Sequence, residues 1–154
     1  MRLIFMSLLS RKGLLAITAV VDVALNGRAR PVSAKALAAR NTLPPRHLEP
    51  VLQALVREGI LRGIRGPRGG YELGREWHRI TAEDILRATQ TLDEEDARFP
   101  ESALLGQVVL PAVAQAERAF SVALSRISVE DLALRLQDSS PSIERSRSVD
   151  LEGR

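Results

Sequence analysis

The 154 residues, 45% apolar but only 3% aromatic, suffice for one compact aliphatic-cored domain with an appendage, and offer few stacking platforms for single-stranded nucleic acid. The absence of cysteine excludes disulfides, thiol redox sensing, and cysteine-ligated zinc or iron–sulfur clusters. A net charge of +3 hides an asymmetry: residues 1–80 carry 14 Lys+Arg against 5 Asp+Glu, while residues 81–154 carry 8 against 14, so a half suited to a polyanion precedes an acidic half with another task.

Residues 1–9 are apolar behind Arg2 but too short for a signal-peptide core or a membrane span, and no cleavage site follows. The expectation is a cytoplasmic chain with no membrane partner. Residues 10–26 predict a first helix, with Leu14, Ile17, Val20, Val21, Ala24 and Leu25 forming one apolar stripe and Asn26-Gly27 stopping it. Ser33 is a good N-cap for a short helix over residues 34–40, anchored by Leu37, and Asn41-Thr42-Leu43 makes a tight turn.

A third helix runs to Glu58, is capped by Gly59, and buries Leu48, Val51, Leu52, Leu55 and Val56. Pro44 and Pro45 suit its first turn. Pro50 removes a backbone donor and crowds the carbonyl of Arg46, so either the helix starts near Arg46 or it is kinked at Pro50. Two short strands near residues 61–65 and 70–73 follow, joined by a glycine-rich turn that carries Arg65 and Arg68. Thr81-Ala82-Glu83-Asp84 is a capping-box pattern that opens a fourth helix to about Thr89, with Ile80, Ile85, Leu86 and Ala88 directed at the core.

Residues 91–101 form an acidic connection. Asp93, Glu94, Glu95 and Asp96 lack the spacing and central glycine of a calcium loop, and a solvated acidic segment is the expectation. A long apolar pattern comes next, from Leu105 through Val109, Val113, Ala116, Phe120 and Leu124 to Ile127. Pro111 either kinks it or starts a new helix. Ser128-Val129-Glu130-Asp131 is a second capping-box pattern, opening a helix to about Leu136, and residues 138–154 lack periodicity and are expected to be a disordered tail. The expected division is a domain over residues 1–90, an acidic loop with dimerisation helices over 91–137, and the tail.

Two helices joined by a short turn can place the second in a major groove, which is wide enough to admit it. Arg46, His47 and Glu49 sit at the N-terminal end of that second helix, opposite its apolar stripe. Arginine can donate twice to guanine, and glutamate can accept from the cytosine amino group. In the turn between the strands, Gly66, Gly69 and Gly70 permit close approach of backbone to phosphate, and Arg65 and Arg68 are long enough to enter a minor groove. A phosphate-binding loop is a poor alternative, because no Gly-Lys-Ser/Thr follows and the next element is a strand. The expected fold is mainly α with a small β-hairpin: a winged helix-turn-helix plus a long dimerisation helix. No residue constellation suggests catalysis, and His47 and His78 form no ligand cluster.

The motif Arg65-Gly66-Pro67-Arg68-Gly69-Gly70-Tyr71-Glu72-Leu73 resembles the wing of the Rrf2 family of bacterial winged-helix regulators. Ser10-Arg11-Lys12-Gly13, Val32-Ser33-Ala34-Lys35-Ala36-Leu37-Ala38, His47-Leu48-Glu49 and Ile80-Thr81-Ala82-Glu83-Asp84-Ile85 are similar to further segments of that family. The resemblance is strong over about residues 10–90 and weaker to about 136. It implies a homodimeric transcription factor, usually a repressor, with Glu49 at a base in the major groove and Arg65 in the minor groove. Leu15 and His47 replace two usual tyrosines, and Pro50 replaces a polar residue. Cluster-binding members carry three cysteines in a stretch that corresponds to residues 91–106, where this chain has none.

The sequence therefore predicts a homodimeric regulator on a pseudo-palindromic double-stranded operator, without a cofactor. Lys12, Ser33, Lys35, Arg46, His47, Glu49, Arg65, Gly66 and Arg68 are the expected DNA contacts. Leu105, Val109, Val113, Ala116, Phe120 and Leu124 are the expected dimer interface. An unidentified small-molecule or protein effector is a further expected partner. The alternative is a winged helix used for protein–protein assembly with no specific operator.

Overall fold

The structure, a computed structural model, describes residues 10–90, 92 and 103–139. Among the described residues are six α-helices and one antiparallel hairpin: α1 (Arg11–Asn26), α2 (Ala34–Asn41), α3 (Pro45–Arg57), β1 (Leu61–Ile64), β2 (Gly70–Leu73), α4 (Ala82–Thr89), α5 (Leu110–Ser125) and α6 (Val129–Ser139). A short 3-10 turn, Trp77–Arg79, links β2 to α4, and a π-helical turn, Leu105–Val109, leads into α5. This is the expected winged helix. The acidic connection lies outside the described residues apart from Leu92, which packs against the core. Among the described residues no helix is long and apolar enough to cross a membrane.

Helix α1 is the centre of the molecule and touches α2, α3, α4, α6 and β2. Ser10 caps it by accepting from the Gly13 amide. Its buried face coincides with the expected stripe only at Val20 and Ala24. Ala16, Ala19, Val20, Val23 and Ala24 are buried at the three- and four-residue spacing of one helical face, whereas Leu14 is 55% exposed. Ile17 and Val21 are only partly buried at the margin of that face. Small residues at the centre let four other helices approach closely, and the larger side chains are left to the flanks.

Of the two alternatives, a start near Arg46 or a kink at Pro50, the start fits to within one residue: helix α3 begins at Pro45, with Pro44 in the N-cap position. Pro50 therefore lies inside the helix, beyond its first turn. Leu48, Val51, Leu52 and Leu55 are buried as expected, but Val56 is 37% exposed and Ala54 takes the interior place. One residue is about 100° of helical rotation, enough to turn Val56 off the core face. The strands pair Leu61 with Leu73, Arg62 with Glu72, Gly63 with Tyr71 and Ile64 with Gly70. Arg62 and Glu72, directly opposite, make an ion pair, with Arg62 Nε donating at 2.8 Å. The first strand ends at Ile64, so Arg65 belongs to the turn.

Both capping boxes are present. Thr81 and Asp84 exchange hydrogen bonds at 3.1 Å, and Ser128 and Asp131 do so at 3.0 and 3.1 Å. The two caps also lie side by side: Ala82 N donates to Ile127 O and Val129 N to Ile80 O, each at 2.8 Å. This pairing brings α6 back onto the winged helix, and Val129 is fully buried in its core. Helix α6 extends to Ser139, past the expected end at Leu136 and into the start of the expected tail; residues 140–154 lie outside the described residues. Pro111 sits at the first turn of α5, immediately after the π-helical turn. Proline supplies no amide and crowds the carbonyl four residues back, and a widened turn is one way to relieve that crowding.

Candidate nucleic-acid interface

Helix α2 and the wing are held together by backbone. Val32 N donates to Tyr71 O at 2.9 Å, and Tyr71 N to Val32 O at 2.8 Å, so the residue just before the α2 cap pairs with strand β2. Ser33 then caps α2 by accepting from the Ala36 amide at 3.1 Å. Gly70 makes the pairing sterically possible: a Cβ there would lie 2.4 Å from Val32 O. At the wing tip Gly69 N donates to Gly66 O at 2.9 Å, closing a turn with Pro67 at its second position. Gly66 has φ +115°, a conformation that L side chains rarely adopt. The wing is thus a short, stiff arm whose root is fixed to the helix-turn-helix.

Gly70→Ala tests this attachment. The added methyl meets backbone rather than a flexible side chain, so the wing must shift away from α2. A loss of about 1–3 kcal/mol is expected, on the scale of other forced overpacking. A thermal midpoint equal to that of the parent protein would remove the close approach as a constraint.

Three adjoining grooves surround the N-terminal end of α2. The first lies between α2 and α3 and has Lys35, Glu49, Pro45 and Tyr71 along it. The second runs between α2 and the wing, past Ser33, Ala34, Tyr71, Arg65 and Gly66. The third lies between the wing tip and the loop before α2 and includes Ser33 and Arg68. Ala34 and Tyr71 are shared by the first two and Ser33 by the last two, so the surface is continuous. Arg46 and His47 are exposed on the first turn of α3, beside Pro45. Lys12 sits apart, at the start of α1, where its Nζ donates to the carbonyl of Leu92 at 3.1 Å.

Behind this surface is a polar network that no sequence motif announces. Asp22 of α1 is 7% exposed. Its carboxylate accepts from Arg40 Nε at 2.9 Å and Nη2 at 2.7 Å, from Asn41 Nδ2 at 2.8 Å and from Asn26 Nδ2 at 3.3 Å. Burial alone would raise its pKa, but the hydrogen bonds from Arg40 and Asn41, the Arg40 charge and the Asn26 contact outweigh burial and hold it below the ordinary 3.8. The network ties the C-terminal end of α2 to the central helix. A lone carboxylate inside an otherwise apolar helix is the signal that the sequence offers for it. Elsewhere on the surface, Arg28 stacks over Trp77 at 4.4 Å from the ring centroid.

The Rrf2 model, described as an iron-dependent transcriptional regulator, matches residues 9–135. This chain belongs to the Rrf2 family. It is 36% identical to the HTH-type transcriptional regulator IscR of Escherichia coli over 80 residues, 52% of this chain and 49% of that protein. The chain spans about half the length of the Escherichia coli and Haemophilus influenzae relatives it matches. Among solved structures, T. potens IscR superposes with a TM-score of 0.65 at 29% identity, covering 85% of this chain and 87% of that one. CymR, the global cysteine regulator of B. subtilis, gives 0.63 at 28% identity, covering 82% and 96%. Relatives of this Rrf2 protein are thus transcriptional regulators rather than enzymes.

The iron dependence in the family description can be tested against the donor set. The chain has no thiolate to offer a cluster. Its two histidines lie on α3 and on the 3-10 turn. Among the described residues no group of three or more His, Cys, Asp or Glu side chains is placed to hold a metal ion. The residues of this Rrf2 protein do not fit a cysteine-ligated cluster.

The expected dimer residues fall on or near α5. Val109 and Ala116 are exposed or partly covered at its start and middle: Val109 is 42% exposed, and Val113, Phe120 and Leu124 are half-buried. The side chain of Leu105 lies outside what is described. Large apolar side chains that face solvent include Leu104, Val108 and Val122. Ala114 and Glu117 form the buried side of the same helix.

Proposed function

We propose that this Rrf2 protein is a sequence-specific DNA-binding regulator of transcription that acts as a homodimer, represses by occupying its operator, and works without a cysteine-ligated iron–sulfur cluster. The observation that carries the reading is the continuity of the three grooves. They bring Ser33, Lys35, Glu49, Arg65, Gly66 and Arg68 onto one surface around the α2 cap, with Arg46 and His47 at its edge. In this reading the α3 side chains face base edges in the major groove, Arg65 and Arg68 anchor the wing, and Ser33 and Lys35 meet phosphates. Lys12, held by Leu92, contributes charge at the margin.

The homodimer rests on the apolar exposure of α5 and the turn before it. Val108, Val109 and Val122 lie in solvent in the single chain, and a two-fold partner would cover them while presenting two reading heads. Selection from a pool of random duplexes is expected to enrich a pseudo-palindrome. Binding to it should weaken steeply with salt, and iron chelation should leave it unchanged. Sedimentation should give twice the chain mass. Binding with no sequence preference would favour the protein-assembly alternative, and chelator-sensitive binding would overturn the cluster-free reading.

A further inference from the structure

Arg30 belongs to no motif, yet it lies in the third groove. That groove, of about 410 Å3, lies between the loop before α2 and the wing tip, and Arg30, Ser33, Arg40 and Arg68 all line it. Among the described residues no acidic side chain lines it. Arg40 is neutralised by Asp22. Among the described residues no acid pairs with Arg30 or Arg68, and both are exposed. Another arginine-lined cleft, formed by Arg28, Arg62 and Arg75, differs in this respect because Glu72 and Glu76 lie along it.

Two uncompensated guanidiniums lining one groove make it electropositive, and an anion in the groove is attracted by both. Guanidinium presents a planar fork that matches two oxygens of a phosphate. Ser33 Oγ already accepts from the Ala36 amide, so its own proton is available to a third party. The position decides what kind of phosphate. Ser33 and Gly69 line both this groove and the one that carries Arg65, so the two adjoin at the wing. A wing inserted in a minor groove about 6 Å wide has a sugar–phosphate strand on either side of it.

We propose that the groove lined by Arg30, Ser33 and Arg68 is a binding site for the DNA backbone strand that borders the wing, with Arg30 as a phosphate ligand. This deepens the DNA-binding reading above and rests on it. It assigns the loop before α2 a direct part in affinity but none in sequence choice.

The test uses the full chain and a duplex of mixed sequence about 30 base pairs long, roughly three helical turns. Binding is followed by fluorescence anisotropy between about 50 and 200 mM salt for the parent protein, Arg30→Gln and Arg30→Lys. Arg30→Gln should lower the slope of log K against log salt by about 0.9 for each phosphate that is no longer neutralised, with affinity falling about 3- to 10-fold. Arg30→Lys should keep most of the slope, and both variants should melt with the parent protein. A parental slope in Arg30→Gln overturns the site, whether or not its binding is weaker. If the parent protein shows no salt-dependent binding at all, the DNA-binding reading itself fails, an outcome distinct from failure of Arg30 alone.

Discussion

Arg40→Ala is expected to destabilise the protein by about 3 kcal/mol, the lower end for stranding one member of a buried ion pair. For a chain of this size that is a fall of about 6–12 °C in thermal midpoint. The lower end applies because the arginine side chain is 44% exposed while the aspartate side chain is 6% exposed. Without Arg40, Asp22 keeps two amide donors but loses the guanidinium hydrogen bonds and the counter-charge that lower its pKa, so its pKa is expected to rise in the direction burial favours. This gives a signature in pH. In the parent protein the depressed carboxyl pKa contributes stability that is present above 3.8 and is lost as pH falls through the lower native value. In the variant, protonation relieves a buried unpaired charge instead. The gap in stability between the two should therefore be full near neutral pH and narrow below about pH 4. A constant gap across that range would remove Asp22 as the cause. Arg40 also borders the proposed phosphate groove, so a variant that melts with the parent but binds DNA weakly would move its role from the network to the interface.

The features legible in the sequence are local ones. Ser33, Thr81 and Ser128 cap their helices through residues three positions away, and such patterns lie within one helical turn. The hairpin is equally legible, because Gly66, Pro67 and Gly69 punctuate a short alternation. Features that escape the sequence depend on distant parts of the chain or on shape. The bond from Arg40 to Asp22 spans 18 residues, and nothing in either neighbourhood names the other. The antiparallel bridge between Thr81 and Ser128 joins two motifs that look independent in the sequence. The buried face of α1 departs from its stripe of large residues because helix packing at the centre of a small domain favours alanine, which allows close approach. At the candidate site, Arg46, His47, Glu49, Arg65 and Arg68 are legible by residue type within a motif. Arg30 is not, because it lies in a loop with no pattern and gains meaning only from the groove it shares with Arg68.

Arg65→Ala is expected to weaken binding to a selected operator by about 1–3 kcal/mol, roughly 5- to 150-fold, with no change in melting. Arg65 is exposed at the base of the wing turn and has no ion-pair partner among the described residues, so its loss should leave the fold unaffected. The physical distinction from Arg30 lies in what each guanidinium meets. A phosphate is the same on every sequence, whereas the potential in a minor groove deepens where the groove narrows, as it does over A-tracts. Loss of Arg65 should therefore cost more on the selected operator than on mixed-sequence duplex, while loss of Arg30 should cost the same on both. The rigid tip makes the comparison sharp: with Gly66 at φ +115° and the turn closed by Gly69, the arm has little freedom to bring Arg68 into the vacated place. Equal losses on the two duplexes would make Arg65 another backbone ligand and leave discrimination to Arg46, His47 and Glu49. Unchanged affinity on the operator at fixed salt would place the wing outside the interface altogether.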